Sequence, residues 1–227
     1  GTWGANSKAY SRRTNATAGF SIIKFTADGS TGIPGTGAIP HGLGGKPDLV
    51  ISKRLDSTGN WWTGYDVVDG TFDVVKLEAT SAKSDEGYDI FDADEVSNWG
   101  CADSSEHVYY VFKSIPGYSK VGSYTGNGGT LYVHVGFRSR FIMFKRTDSA
   151  GNWEMYDTAR DPYNPYGLNL VANTNAAEAD AVGAGYPADM LADGFVIRHN
   201  GGAVNASGGT YIYIAFAEAP FKYSRAR

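Results

Sequence analysis

The chain has 227 residues, enough for one large or two small domains with a buried core. Its formal net charge of −4 comes from interspersed acids and bases, so no basic footprint marks a nucleic-acid or anionic-membrane partner. A single cysteine, Cys101, excludes an internal disulfide and a cysteine-built zinc cluster, and no apolar run approaches the ~18 residues of a membrane helix.

Thirty glycines, 14% aromatic residues and no amphipathic run at helical spacing suit an all-β chain with many tight turns. Cys101 reads as a small packed residue. The sequence opens at Gly1, without Met or signal peptide, and reads as a fragment or a processed product.

Residues 1–18 are rich in Ser, Thr, Asn, Ala and Gly without periodicity, which predicts an arm or connector anchored by Trp3 and Tyr10. A first repeat opens with the strand Gly19-Phe20-Ser21-Ile22-Ile23-Lys24-Phe25-Thr26, and its counterpart is Gly117-Tyr118-Ser119-Lys120-Val121-Gly122-Ser123-Tyr124-Thr125. Glycine-rich loops follow both, with no Gly-Lys-Ser/Thr and no helix after them, so a phosphate cradle is excluded. His41 and His134 stand at equivalent loop positions before the next strand and read as structural hydrogen-bonders.

The strongest internal repeat comes next. Lys53-Arg54-Leu55-Asp56-Ser57-Thr58-Gly59-Asn60-Trp61 returns as Lys145-Arg146-Thr147-Asp148-Ser149-Ala150-Gly151-Asn152-Trp153. An apolar branched run leads into each copy and an aromatic strand leaves it, with a polar Asp-Ser-x-Gly-Asn corner between. The pattern predicts a β-hairpin. Tyr65-Asp66 and Tyr156-Asp157 follow at matching places. Beyond them the copies diverge, and 175–189 reads as a long alanine- and acid-rich loop or a helical turn. Each copy closes on a strand, Val108-Tyr109-Tyr110-Val111-Phe112-Lys113 and 210–218, the latter alternating Tyr211, Tyr213, Ala215 and Ala217 against Ile212, Ile214 and Phe216. The predicted architecture is two tandem antiparallel β-sandwich, jelly-roll-like repeats, 19–116 and 117–227, after the arm at 1–18.

The text Gly117-Tyr118-Ser119-Lys120-Val121-Gly122-Ser123-Tyr124-Thr125-Gly126-Asn127-Gly128, the second hairpin motif, and Asn205-Ala206-Ser207-Gly208-Gly209-Thr210-Tyr211-Ile212-Tyr213 together resemble a repeated β-domain of marine phage virion proteins. Such domains occur in tandem in long tail-fibre-like proteins. The resemblance covers roughly 8–227 and is strongest in the second copy. It implies a virion location, a role in host attachment, and assembly with other tail proteins as a homo-oligomer, with a trimer favoured. The family brings no assigned active site, so none is carried over, and no cofactor is expected. The first copy lacks the Asp157-Thr158-Ala159-Arg160 segment, so a ligand held by that segment would bind the second copy only.

Among candidate chemistries, Asp89, Asp92 and Asp94 form a weak calcium pattern without EF-hand spacing, best read as a solvated acidic loop. The four histidines have no nucleophile-elbow context. Exposed aromatics beside an arginine and an amide suit glycan binding, because sugar rings stack on Trp and Tyr while polar groups bond the hydroxyls. Trp61 and Trp153, being repeated, read as core. Trp62, Tyr156, Arg160, Tyr163, Asn164 and Tyr166 are the ligand candidates, with the 160–166 loop foremost. The expected function is non-enzymatic host-glycan binding by a tail fibre or related appendage. A polysaccharide-degrading enzyme or its binding module, and a purely structural virion part, are the alternatives.

Overall fold

The computed structural model describes residues 1–4, 7–29, 38–180 and 188–219. Apart from a 3-10 turn at Ala16–Ala18, their regular structure is all β-strand in antiparallel sheets, and no helix is long and apolar enough to cross a membrane. The chain divides into two units: Gly1–Lys76 with Ser84–Ser114, and Leu77–Lys83 with Ile115–Arg227.

The first unit contains β1 (Thr2–Trp3), β2 (Lys8–Asn15), β3 (Phe20–Thr26), β4 (Ala38–Pro40), β5 (Leu49–Arg54), β6 (Trp61–Tyr65), β7 (Asp73–Lys76), β8 (Ser84–Asp85), β9 (Glu95–Ser97) and β10 (Glu106–Phe112). Eight of them form one sheet in the order β1-β2-β3-β10-β5-β6-β7-β8, and β4 pairs with β9. In β3 the alternation is strict: Ser21, Ile23 and Phe25 point inward while Ile22 and Lys24 face water. Ile23, Phe25, Val50, Val74 and Tyr109 of the large sheet meet Ile39 and Val96 of the small one in a single core, consistent with a β-sandwich. Residues 1–18, expected as an arm, instead supply β1 and β2 to this sheet, and Trp3 is buried in the core. Lys8, Arg12 and Arg13 on β2 suit a strand near a sheet edge, where charge discourages pairing with other chains.

The second unit contains β11 (Ser119–Thr125), β12 (Leu131–His134), β13 (Ser139–Arg146), β14 (Trp153–Asp157), β15 (Leu168–Val171), β16 (Ala179–Asp180), β17 (Ala188–Met190), β18 (Gly194–Ile197) and β19 (Thr210–Ala217). Its sheets run β11-β19-β13-β14-β15-β16 and β12-β18-β17. From opening strand to closing strand to hairpin, this order repeats β3-β10-β5-β6-β7-β8 of the first unit. Tyr211, Tyr213 and Ala215 of β19 line the core with Ile142, Phe144, Met190 and Phe195. Gly122 lies opposite Tyr213, and a Cβ there would stand 2.6 Å from the tyrosine oxygen, so the close approach of ring to strand requires glycine.

Among the described residues of 175–189, 175–178 are irregular, as a loop would be, 179–180 form β16 and 188–189 begin β17, and none is helical. The loop 30–37, residues 181–187 and the closing Phe221-Lys222-Tyr223 text lie outside the described residues.

Candidate functional site

The repeated hairpin motif is built the same way in both units. Lys53 pairs with Trp61 across β5–β6, and Lys145 with Trp153 across β13–β14. In each, the lysine ammonium donates to the carbonyl of the corner glycine, Gly59 or Gly151. Each arginine braces the aspartate two residues on: Arg54 to Asp56 at 2.6 Å, Arg146 to Asp148 at 2.9 Å. These charge-assisted bonds hold both aspartate carboxyls below the usual carboxylate range. The shared residues of the motif are therefore turn scaffolding.

The two units part company one residue after the repeated tryptophan. In the first, Trp62 pairs with Lys76 of β7, whose ammonium lies 5.0 Å from the ring centre, and the ring meets Trp99 edge-on at 5.7 Å. In the second, Glu154 takes that place opposite Val171 of β15. With a short acid where the first unit has an indole, the second unit keeps an open cleft of about 350 Å³. Asn152, Glu154, Tyr156, Asn169 and Asp180 supply its polar lining, and Val171, Val204 and several alanines its apolar wall.

Glu154 is almost fully buried, and Asn169 Nδ2 donates to its Oε2 at 2.7 Å. Burial raises its carboxyl above the ordinary value, against the opposing effect of the Asn169 bond. A buried carboxylate, two amides and a phenol beside aliphatic carbons can bond hydroxyl groups and pack against C–H faces.

Of the sequence candidates, Tyr156 alone is among the residues that line this cleft. Tyr156 lies in its wall, with its ring buried against Phe144 rather than exposed for stacking. Arg160 bonds Asp157 and, through Nη1, Glu178 in the connector after β15, which brings its guanidinium close to the cleft lining. Tyr163 is 79% exposed and the most available aromatic of the set. Asn164 has both side-chain atoms on the Met190 backbone, accepting from its N–H and donating to its carbonyl. Tyr166 is fully buried and takes a bond from Arg138, so it packs its loop and offers no face to a ligand. Trp62 lies in the first unit, half-buried beneath Lys76.

Glu154 and Asn169 were missed because neither belongs to a motif. The signal that could have found them is the mismatch of Trp62 with Glu154 directly after a nearly identical hairpin.

The weak calcium candidates Asp89, Asp92 and Asp94 do not gather, in keeping with the acidic-loop reading. Asp89 bonds Lys46 at 2.6 Å, and Asp92 caps the Asp94 N–H in its own turn. Among the described residues, the acids that converge are Asp69, Asp73 and Asp85, whose oxygens lie within 4.8 Å of one another. Asp73 and Asp85 are directly opposed across β7–β8. Their oxygens could serve a hard divalent cation.

The repeated histidines differ. His41 is buried, its Nδ1 accepting from the Leu43 N–H at 3.1 Å, whereas His134 is exposed beside Asp193.

No curated protein and no solved structure matches this chain. Over residues 4–220 it matches the family described as Domain of unknown function (DUF7483), and the chain belongs to that family.

Proposed function

We propose that this chain is a non-enzymatic module of a phage virion, a distal part of a tail fibre or related appendage, whose second unit binds host cell-surface glycan. The cleft beside β14 and β15 carries the glycan reading: Glu154, Asn169, Asn152 and Asp180 offer hydroxyl-bonding groups against an aliphatic wall. Arg160, paired with Glu178 of the connector, and the exposed Tyr163 both stand on the loop that follows β14 and supply a cation and a free ring. The virion setting is supported by the resemblance of the 117–128, hairpin and 205–213 text to tail-fibre-like repeats. The shared strand order of the two units supports reading them as tandem jelly-roll-like sandwich repeats. In this account the protein works without a cofactor, as a homo-oligomer, with a trimer favoured, alongside other tail proteins. Each glycan contact is weak and adhesion comes from many copies acting together.

The test is retention of purified protein on host-derived polysaccharide. Asn169→Ala and Tyr163→Ala should each weaken retention at least several-fold, with circular dichroism unchanged. Full retention by both folded variants would contradict the site.

One observation favours a second reading. Glu154 and Asp180 line the same cleft, and hydrolysis of a glycosidic bond uses two carboxyl groups, one kept protonated by its surroundings. Release of reducing ends at catalytic rates, abolished by Glu154→Gln, would favour a polysaccharide-degrading enzyme over an adhesive module.

A further inference from the structure

The two hairpins have the same internal bonds but different surroundings. Leu77–Lys83, the connector between β7 and β8, belongs to the second unit. There the Thr80 carbonyl accepts from Gly151 N–H at 2.9 Å and from Lys145 Nζ at 3.1 Å, and Lys83 N–H donates to the Thr147 carbonyl at 2.8 Å. Lys145, Thr147 and Trp153 are all essentially inaccessible to water. At the matching positions of the first unit, Lys53 and Trp61 are half-buried, Leu55 is 47% exposed and Gly59 is exposed. A leucine so open at the place where its counterpart is fully covered marks the surface that a connector would occupy.

The second unit carries a connector of its own. Residues 172–178 join β15 to β16 as Leu77–Lys83 join β7 to β8, and both are seven residues long between strands of equal length. All of 172–178 except Asn173 is exposed. The chain therefore has an uncovered hairpin in one unit and an uncovered connector in the other, while the intermediate pair of hairpin and connector is joined.

We propose that the Lys53–Trp61 hairpin of one molecule is a docking surface for the 172–178 connector of a second copy of this chain, so that copies associate head to tail. In the docked pair the Asn175 carbonyl takes the place of the Thr80 carbonyl and accepts from Gly59 N–H and Lys53 Nζ. Glu178 N–H takes the place of Lys83 N–H and donates to the Leu55 carbonyl. Leu55 and the Trp61 ring lose their water. The contact is heterologous, hairpin of one copy on connector of the next, so it builds a ring such as the favoured trimer where the rotation between copies closes and an open array where it does not. Ala176 and Ala177 of this connector also line the cleft, but the docking is argued from the hairpin and connector alone and requires no bound glycan.

Directed cross-linking in a Cys101→Ala background tests it. Gly59→Cys is tolerated by the backbone, because the nearest atom to a Cβ there, Arg54 Cβ, is 3.8 Å away, and no positive φ is needed. Asn175→Cys lies on the exposed 172–178 connector. The two single-cysteine proteins, mixed under mild oxidation, should form a disulfide-linked pair at least tenfold faster than Asn175→Cys mixed with Tyr132→Cys, another exposed position. A chain carrying both cysteines should give a ladder of oligomers on a non-reducing gel. Cross-linking no faster than the control pair would overturn the proposal. So would failure to cross-link together with amide shifts at Gly59 on adding a peptide of residues 77–83, which would assign the hairpin to the connector of a different repeat.

Discussion

Lys145 Nζ lies 3.1 Å from the carbonyl oxygen of Thr80, and Gly151 N–H donates to the same oxygen. One backbone carbonyl from the Leu77–Lys83 connector thus collects two donors from the second hairpin. The bond removes Gly151 N–H from water, whereas Gly59 of the first hairpin stays exposed. Amide hydrogen exchange should therefore be slow at Gly151 and fast at Gly59. Lys145→Ala leaves the Thr80 and Gly151 carbonyls without that donor and should destabilise the second unit by roughly 2–4 kcal/mol, against less than ~1 kcal/mol for Lys53→Ala in the first. Equal losses in urea unfolding would show that the connector adds nothing to the hairpin.

The same burial lowers the Lys145 ammonium to about 8. Its folded value lies below its unfolded value near 10.4, so between these limits the unfolded chain binds more protons. The contribution of Lys145 to stability should accordingly rise as pH climbs from about 8 toward 10.4. In carbon-labelled lysine, one ε-methylene resonance should titrate near 8 and vanish in Lys145→Met. Titration of every lysine above 10 would contradict the burial.

Two histidines of the first unit carry the acid response. Burial lowers His41, whose Nδ1 accepts the Leu43 N–H, and it lowers His107, which sits against Ser105 and has the Arg54 guanidinium nearby. With folded values below the ordinary imidazole value of about 6.5, the unfolded state takes up protons first as pH falls. Stability of the first unit should decline once pH drops below about 6.5, and His41→Gln should flatten that decline. An unchanged slope in the variant would remove His41 from the response.

Cys101 is buried, with its thiol on the Trp99 carbonyl at 3.2 Å and near Tyr109 Oη. Burial pushes the thiol up to about 12, so almost no thiolate exists near neutrality. Reaction with a thiol-specific reagent should be at least a hundredfold slower in the native protein than in urea. A native rate close to the denatured one would show that this part of the core opens.

The strands that carry the hairpins were legible because their cues are local: alternating apolar residues, a polar corner with glycine, and near-identity between Lys53–Trp61 and Lys145–Trp153. β2 was not, because most of Lys8–Asn15 is exposed and a strand of that kind, next to the sheet edge, has no alternation to read. The assignment of Leu77–Lys83 to the second unit depends on tertiary pairing and leaves no periodic trace. The cleft escaped notice for a related reason. It exists where Glu154 replaces a ring, and motif reading looks for residues that are present. Asp89, Asp92 and Asp94 drew attention by closeness in sequence, while Asp73 and Asp85 are brought together by strand pairing across a long loop. Tyr156 and Tyr166 are aromatic and polar-flanked in the sequence, but such residues fill a core as readily as a binding face.

The virion assignment is tested most directly by mass spectrometry of purified phage particles from the source that encodes this chain, with labelled antibody locating it by electron microscopy. Peptides from both units should be present in the particle, in multiple copies, with label at the tip of an appendage. Peptides found in infected cells but absent from purified particles would contradict it.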